Sequence, residues 1–101
     1  DVAFIAAEGL DAVDGMTFSH EEDARIAAMM SKRAGKTVAL ATARKLSTHD
    51  FFTGVTPAQI DLLISDCEDE VVLAPFVAAG IKILISRTET TGAEIKDITA
   101  A

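Results

Sequence analysis

Cys67 stands alone in the sequence, so neither an intrachain disulfide nor a cysteine-based zinc site is possible. A reducing cytoplasm fits that usage. Basic residues are scarce: nine Lys and Arg face sixteen Asp and Glu, for a net charge of −7. That balance works against this segment itself gripping the phosphate backbone of DNA, which needs clustered cations. Any nucleic-acid contact must come from elsewhere, and the acidity is read as a solubility feature. No apolar run approaches the roughly 20 residues needed to cross a bilayer, and no basic segment followed by an apolar one opens the chain. The expectation is a soluble, unexported protein. Trp and Tyr are absent, which leaves the core to Ala, Val, Ile and Leu with five Phe.

Half of the 101 residues are hydrophobic, enough for one folded domain or part of one. Short runs rich in Val, Ile and Leu span Asp1 to Ala7, Thr37 to Ala41, Ile60 to Ser65 and Ile81 to Ser86. Their continuous apolar character predicts strands buried on both faces. The first run, "DVAFIAA", is already under way at the second residue with no polar leader, and reads as a strand cut from a preceding element. At the other end "TETTGAEIKDITAA" reads as a frayed tail, with one weak helical turn at Ile95 and Ile98 as the alternative. The expected organisation is a sheet-forming part over residues 1–86 and a tail over residues 87–101.

Helices are expected between the strands. "SHEEDARIAAMMSKRAG" offers Ser19 as N-cap, acids in the first turn and Lys32 and Arg33 late, with Gly35 beyond the end. Its inward face is expected to hold Ile26, Met29, Met30 and Ala34, the two methionines serving as core filler. "EDEVVLAPFVAAG" predicts a shorter helix closed by Gly80. Its Pro75 either falls where amides lack intrahelical partners or kinks a helix that begins early. Between Ser47 and Pro57, "HDFFTGV" forms a small extra strand or a packed loop, ended by Thr56-Pro57. Strands alternating with helices imply right-handed crossovers and an α/β fold, a parallel Rossmann-like sheet with helices on both faces.

In such sheets ligands bind outside the carboxyl ends of the strands. The polar residues gather there. The first run empties into Glu8, Gly9 and Asp11, the second into Thr42, Arg44 and Lys45, the third into Ser65 and Asp66, and the fourth into Ser86 and Arg87. Hydroxyls, carboxylates and cations on one rim suit a polyhydroxylated anion such as a sugar phosphate, although every α/β protein has polar loops. Asp66 serves equally as a cap for the following helix or as a partner for sugar hydroxyls. Glu21, Glu22 and Asp23 are read as partners of a helix N-terminus rather than catalysts, and His20 and His49 as surface histidines without a matching set of metal ligands. Cys67 is read as an inert small residue.

Three ordered motifs carry a family resemblance. "DVAFIAAEGLDAVDGMTFSHEEDARIAAMM", "VALATARKLSTHDF" and "IDLLISD" together resemble the effector domain of DeoR-type bacterial transcriptional repressors over roughly residues 1 to 86. The shared features are Gly9, the Gly15-Met16-Thr17 turn, Glu21 and Glu22 with Met29, the loop ending at Lys45-Leu46, and Ser65-Asp66. The resemblance implies a fold like that of ribose-phosphate isomerases and glucosamine-phosphate deaminases, incomplete here. It also implies a homo-oligomeric sensor of phosphorylated sugars whose separate N-terminal winged helix binds DNA. The implied ligand-binding residues are Glu8, Gly9, Thr17, Thr42, Lys45 and Asp66, with no cofactor, no metal and no catalytic residue.

Departures accompany the matches. Where the family has Asp-Ser-Ser before the lysine, this sequence has Thr42, Ala43 and Arg44. The family's Thr-Asn loop, associated with phosphate binding, is absent. Lys45 matches the family's lysine and is the better ligand contact, whereas Arg44 has no counterpart and is as readily a surface cation. An alternative function keeps the same fold but makes the chain a sugar-phosphate isomerase or deaminase, with Asp66 or Glu8 as base and Lys45 stabilising an enediolate. No second carboxylate at a recognisable spacing supports it.

Overall fold

The computed structural model describes residues 1–89 and 92–97. In chain order the elements are β1 (Val2–Ala6), β2 (Gly9–Asp11), β3 (Gly15–Phe18), α1 (Glu21–Arg33), β4 (Lys36–Leu40), β5 (Phe52–Val55), β6 (Leu62–Ser65), α2 (Glu70–Ala78), β7 (Lys82–Glu89) and β8 (Gly92–Asp97). Short 3₁₀ turns at Ala43–Lys45 and Pro57–Gln59 flank β5. The main sheet has the order β1-β4-β6-β7-β8, and β2, β3 and β5 form a second, antiparallel sheet. The first four strands of the main sheet run parallel and β8 pairs antiparallel with β7. The chain therefore has the α/β fold with a parallel sheet and flanking helices, built on the four strands expected from the apolar runs. No helix among the described residues is long and apolar enough to cross a membrane.

The register sorts the side chains into two faces. Ile5, Ala39, Leu63 and Ile83 align across β1, β4, β6 and β7, and all are buried. Phe4, Val38 and Leu62 align on the opposite face, where Phe4 is 60% exposed and Val2 is 52% exposed. Leu40, Leu62, Ile64 and Leu84 on that face are only partly buried. Coverage of both faces was the expectation, and the strand order explains the difference. Each new strand is added on the same side of the one before, so right-handed crossovers carry α1, the β5 segment and α2 to one face.

That covered face holds the core. Phe76, Leu10, Met16, Leu63, Leu73, Ile83 and Val55 are the largest fully buried side chains apart from threonines, each contributing about 1.5–3 kcal/mol of transfer free energy. Helix α1 buries Ala24, Ala27 and Ser31, spaced at i, i+3 and i+7. Ile26, Met29 and Met30 point outward, the reverse of the hydrophobicity-based expectation. The reason is steric. A Cβ on Gly54 of β5 would sit 2.9 Å from the Ala24 carbonyl oxygen, so the helix lies against β5 through its smallest residues. Ser31 and Thr37 share a buried hydroxyl hydrogen bond at 2.8 Å between α1 and β4.

Local details correct other expectations. The N-cap of α1 is His20 without a side-chain cap bond, while the Ser19 hydroxyl donates instead to Glu8. Helix α2 is capped by Asp69, whose carboxylate accepts the Val71 amide at 2.9 Å. It closes on Gly80 at φ +89, with Gly80 N–H to Val77 O and Ile81 N–H to Phe76 O, the paired bonds of a Schellman ending. Pro75 is the sixth residue of α2, past the amides that lack intrahelical partners, so it withholds a donor from the carbonyl of exposed Val71. "HDFFTGV" supplies β5, ending before Thr56-Pro57. Part of the expected tail is a strand: β7 continues to Glu89 and Gly92–Asp97 form β8, with Ile95 in it. Residues 98–101, Ile98 among them, and the Arg87 side chain lie outside the described structure.

Candidate functional site

At the carboxyl ends of β1, β4 and β6 and beside β7 lies a crevice of about 450 Å³. Ala6, Ala7 and Ala41 form its floor with Leu40 and Ile64, and its polar groups come from Thr42, Lys45, Ser65, Asp66 and Ser86. Small side chains at the end of β1 leave the space open.

The position of Lys45 follows from the backbone after β4. The chain turns through one 3₁₀ turn, with Lys45 N–H donating to Thr42 O at 2.9 Å and Leu46 N–H to Ala43 O at 3.2 Å. Two anchors fix that turn. Its first amide, Ala43 N–H, donates to the Asp66 carboxylate at 2.7 Å. Its far end is held by buried Leu46, which bridges Leu10, and by Ser47 N–H donating to Leu10 O at 2.7 Å. The result is that Lys45, partly buried, lines the crevice, whereas exposed Arg44 does not. No ion pair among the described residues engages either cation.

Of the six residues expected at the site, Thr42, Lys45 and Asp66 come together here. Glu8, Gly9 and Thr17 do not line the crevice. Glu8 accepts the Ser19 hydroxyl at 2.6 Å and the Ser19 amide at 3.3 Å. That hydroxyl bond, with the Ser19 amide and the charges of His20 and Lys45, holds the Glu8 carboxyl below the usual carboxylate range against an opposing push from partial burial. Gly9 pairs with Thr17 in the small sheet, where a Cβ would sit 2.7 Å from Thr17 Oγ1. Thr17 is fully buried and its hydroxyl accepts the Asp50 amide at 2.9 Å. Both therefore serve the packing of β2 on β3. Asp66 does not cap the following helix, whose N-cap is Asp69; its carboxylate organises the Lys45 turn.

Ser65 and Ser86 also face the crevice. Both were legible as strand-end hydroxyls on the polar rim, although neither was among the six residues expected to bind ligand. Ser65 is buried and accepts the Cys67 amide at 3.1 Å. His20 has neighbours that the sequence did not reveal: donor atoms of Glu8, His20 and Asp23 lie within 4.8 Å of one another, all on the surface side of the β1–α1 junction. His49 pairs with Asp14 at 3.1 Å on the surface.

An ammonium group, hydroxyls and one carboxylate already committed to a backbone amide line the crevice, groups able to hydrogen-bond a hydroxylated anion. They do not make an acid–base pair, because Glu8, the other candidate carboxylate, is turned to Ser19. The comparisons agree with that reading. Residues 1–67 match the family described as the DeoR C terminal sensor domain, and the chain belongs to that family. It is a sensor-domain family and not an enzyme family. The chain is also 33% identical over 66 residues to the HTH-type transcriptional regulator GlpR of Haloferax volcanii, a stretch covering 65% of this chain and 26% of that protein. The matched stretch thus spans about a quarter of the curated relative's length. No solved structure matches the chain.

Proposed function

We propose that residues 1–101 are the later part of a sugar-phosphate-sensing domain in a cytoplasmic, homo-oligomeric DNA-binding regulator. In this reading the fold is of the isomerase and deaminase-like kind, and the effector lies in the crevice at the carboxyl ends of β1, β4 and β6. Lys45 supplies the positive charge for phosphate, and Thr42, Ser65 and Ser86 supply hydroxyls for the sugar. A separate N-terminal winged helix contacts DNA. Effector binding biases two arrangements of the subunits and so changes DNA affinity.

The observation that supports this most directly is Lys45, a half-buried residue placed in the crevice at the strand ends by a doubly anchored turn and engaged by no ion pair among the described residues. The name of the Haloferax relative, a helix-turn-helix regulator, supports the link to DNA. The test uses the product of the complete reading frame containing these residues, titrated with ribose, glucosamine and ketohexose phosphates. Binding of at least one ester without its conversion is the expected outcome. Turnover well above buffer that disappears in Asp66→Asn would return the chain to the enzyme class.

A further inference from the structure

Where α1 begins, beside the end of β1, three side chains meet whose chemistry the crevice does not use. Glu8 lies just past β1, His20 is the N-cap of α1, and Asp23 is the third residue of that helix. Their donor atoms, one imidazole nitrogen and two carboxylate oxygens, lie within 4.8 Å of one another. The β2–β3 hairpin separates Glu8 from the other two along the chain, so the set forms no sequence motif. Ser19 supports it from behind: its hydroxyl donates to Glu8 at 2.6 Å and stands 3.2 Å from His20 Nδ1. Ser19 is the cap-type residue at the entry to α1, yet the helix starts without a side-chain cap bond because that hydroxyl is engaged by Glu8. Glu8 and Asp23 also line one recess of about 260 Å³ whose other lining residues, Phe18, Ile26 and Met30 among them, are apolar. Among the described residues the one ion-pair partner of either carboxylate is His20, 3.8 Å from Asp23 and charged only when protonated.

We propose that Glu8, His20 and Asp23 bind a divalent transition-metal ion of the zinc kind. An imidazole nitrogen with two carboxylate oxygens suits zinc, cobalt and nickel, whereas magnesium and calcium favour sets made of oxygen alone. Ligand atoms about 2.0–2.2 Å from a zinc ion stand about 3.4 Å apart around a tetrahedron, so donors already within 4.8 Å have little more than an ångström to close. His20 and Asp23 have that freedom, with side chains 77% and 54% exposed, while Glu8 is fixed by the Ser19 hydroxyl and amide. The two carboxylates balance the charge of the ion, and Glu21 and Glu22 in the same turn offset the positive end of the α1 dipole. Ser19 is a positioning residue that orients the Glu8 carboxylate, as hydrogen-bond partners of metal ligands do. Three protein ligands leave a coordination position open, and the bound ion ties the β1–β2 loop to α1.

The test uses the product of the complete reading frame containing these residues, freed of metal with a chelator and titrated with zinc chloride by calorimetry. His20→Gln and Asp23→Asn remove one donor each, and His49→Gln, from the surface pair with Asp14, is the control. Circular dichroism of each variant reports that it is folded. The expected result is a zinc-binding event in the unaltered protein that weakens at least tenfold in His20→Gln and in Asp23→Asn and stays the same in His49→Gln. Zinc should also raise the thermal midpoint of the unaltered protein and of His49→Gln, and not that of the two donor variants. Ser19→Ala keeps all three donors and is expected to weaken zinc binding about tenfold, which preserves the test if a donor variant fails to fold. Absence of zinc binding overturns the proposal, as does equal affinity in the unaltered protein and the variants. An equal loss in His49→Gln overturns it too, because the ion is then adventitious on surface histidines, and so does magnesium chloride binding as tightly as zinc. None of these readouts involves a sugar phosphate, so the outcome is independent of what the crevice binds.

Discussion

The Asp66 carboxylate accepts the Ala43 amide at 2.7 Å, tying the loop after β6 to the turn after β4. The bond is charge-assisted and spans two neighbouring strands, so it sets the pose of Lys45 without touching it. Removing the acceptor in Asp66→Ala is expected to lower stability by about 1 kcal/mol, at the modest end for a bond to an exposed carboxylate. Asp66→Asn keeps an acceptor oxygen and loses less. Urea denaturation midpoints of the three proteins measure this, and an unchanged midpoint in Asp66→Ala means the turn is held by Leu46 and Ser47 alone.

Lys45 and Arg44 are adjacent cations with different surroundings, one lining the crevice and the other exposed. In the complete protein, Lys45→Ala is expected to weaken sugar-phosphate binding by about 1.5–3 kcal/mol, the range for a hydrogen bond to a charged group. Arg44→Ala should cost much less. Calorimetric titration separates them, and equal losses would assign the phosphate to the outer rim rather than the crevice.

The two glycines at positive φ differ in what surrounds them. At Gly80, φ +89, a Cβ meets nothing within 4 Å, so Gly80→Ala is expected to cost about 1–2 kcal/mol, the left-handed backbone penalty alone. At Gly15, φ +87, a Cβ would collide with the Val55 carbonyl oxygen across the β3–β5 pair. Gly15→Ala should therefore be the more damaging by a wide margin. Thermal melts of both variants rank them, and similar midpoints would mean that β5 shifts freely away from β3.

Glu8 sets an acid limit on the junction between β1 and α1. Its carboxyl is held low chiefly by the Ser19 hydroxyl, so its folded-state value lies below its unfolded one. A depressed carboxyl contributes stability above the unfolded value, and that contribution disappears as pH falls through the folded value. Ser19→Ala removes the main cause. Carbon-detected NMR titration from about pH 6 to pH 2 should show the Glu8 midpoint rising in the variant, and stability falling less steeply with acid. A Glu8 midpoint that stays put in Ser19→Ala would falsify the assignment of cause.

Helix α1 makes a prediction against hydrophobicity. Met29 is 57% exposed and Ala27 is 3% exposed. Met29→Gln is expected to change stability by less than about 0.5 kcal/mol, whereas Ala27→Leu overpacks the contact with the sheet and costs about 1–3 kcal/mol. Chemical denaturation decides, and a large loss from Met29→Gln with none from Ala27→Leu would mean that the helix is rotated as its apolar residues suggest.

That rotation shows where sequence reading reached its limit. The four parallel strands and both helices were legible because continuous Val, Ile and Leu runs and the glycine after α2 act locally. Which side of α1 faces inward was not. Transfer energies favour burying Ile26 and Met30, but the distance between α1 and β5 admits only Ala24 and Ala27. The β2–β3 hairpin was also missed, although "LDAVDG" carries its signal: Asp11 accepts the amides of Val13 and Asp14 and Gly15 supplies positive φ. Gly9 and Thr17 were expected at the site from the family resemblance, and the unread hairpin is why their packing against each other was not foreseen. That Thr42, Lys45 and Asp66 meet at one end of the sheet was legible because strand ends in a parallel sheet converge whatever the loops do.

The strand order β1-β4-β6-β7-β8 also has a meaning in time. Every strand of the main sheet docks beside the one that precedes it in that sheet, so none has to wait for a later segment to be made. As the chain leaves the ribosome, each completed strand finds a ready template and becomes the template for the next. Loops to be closed stay short, which favours rapid folding, and growth at a single edge leaves few opportunities for wrong pairing during synthesis.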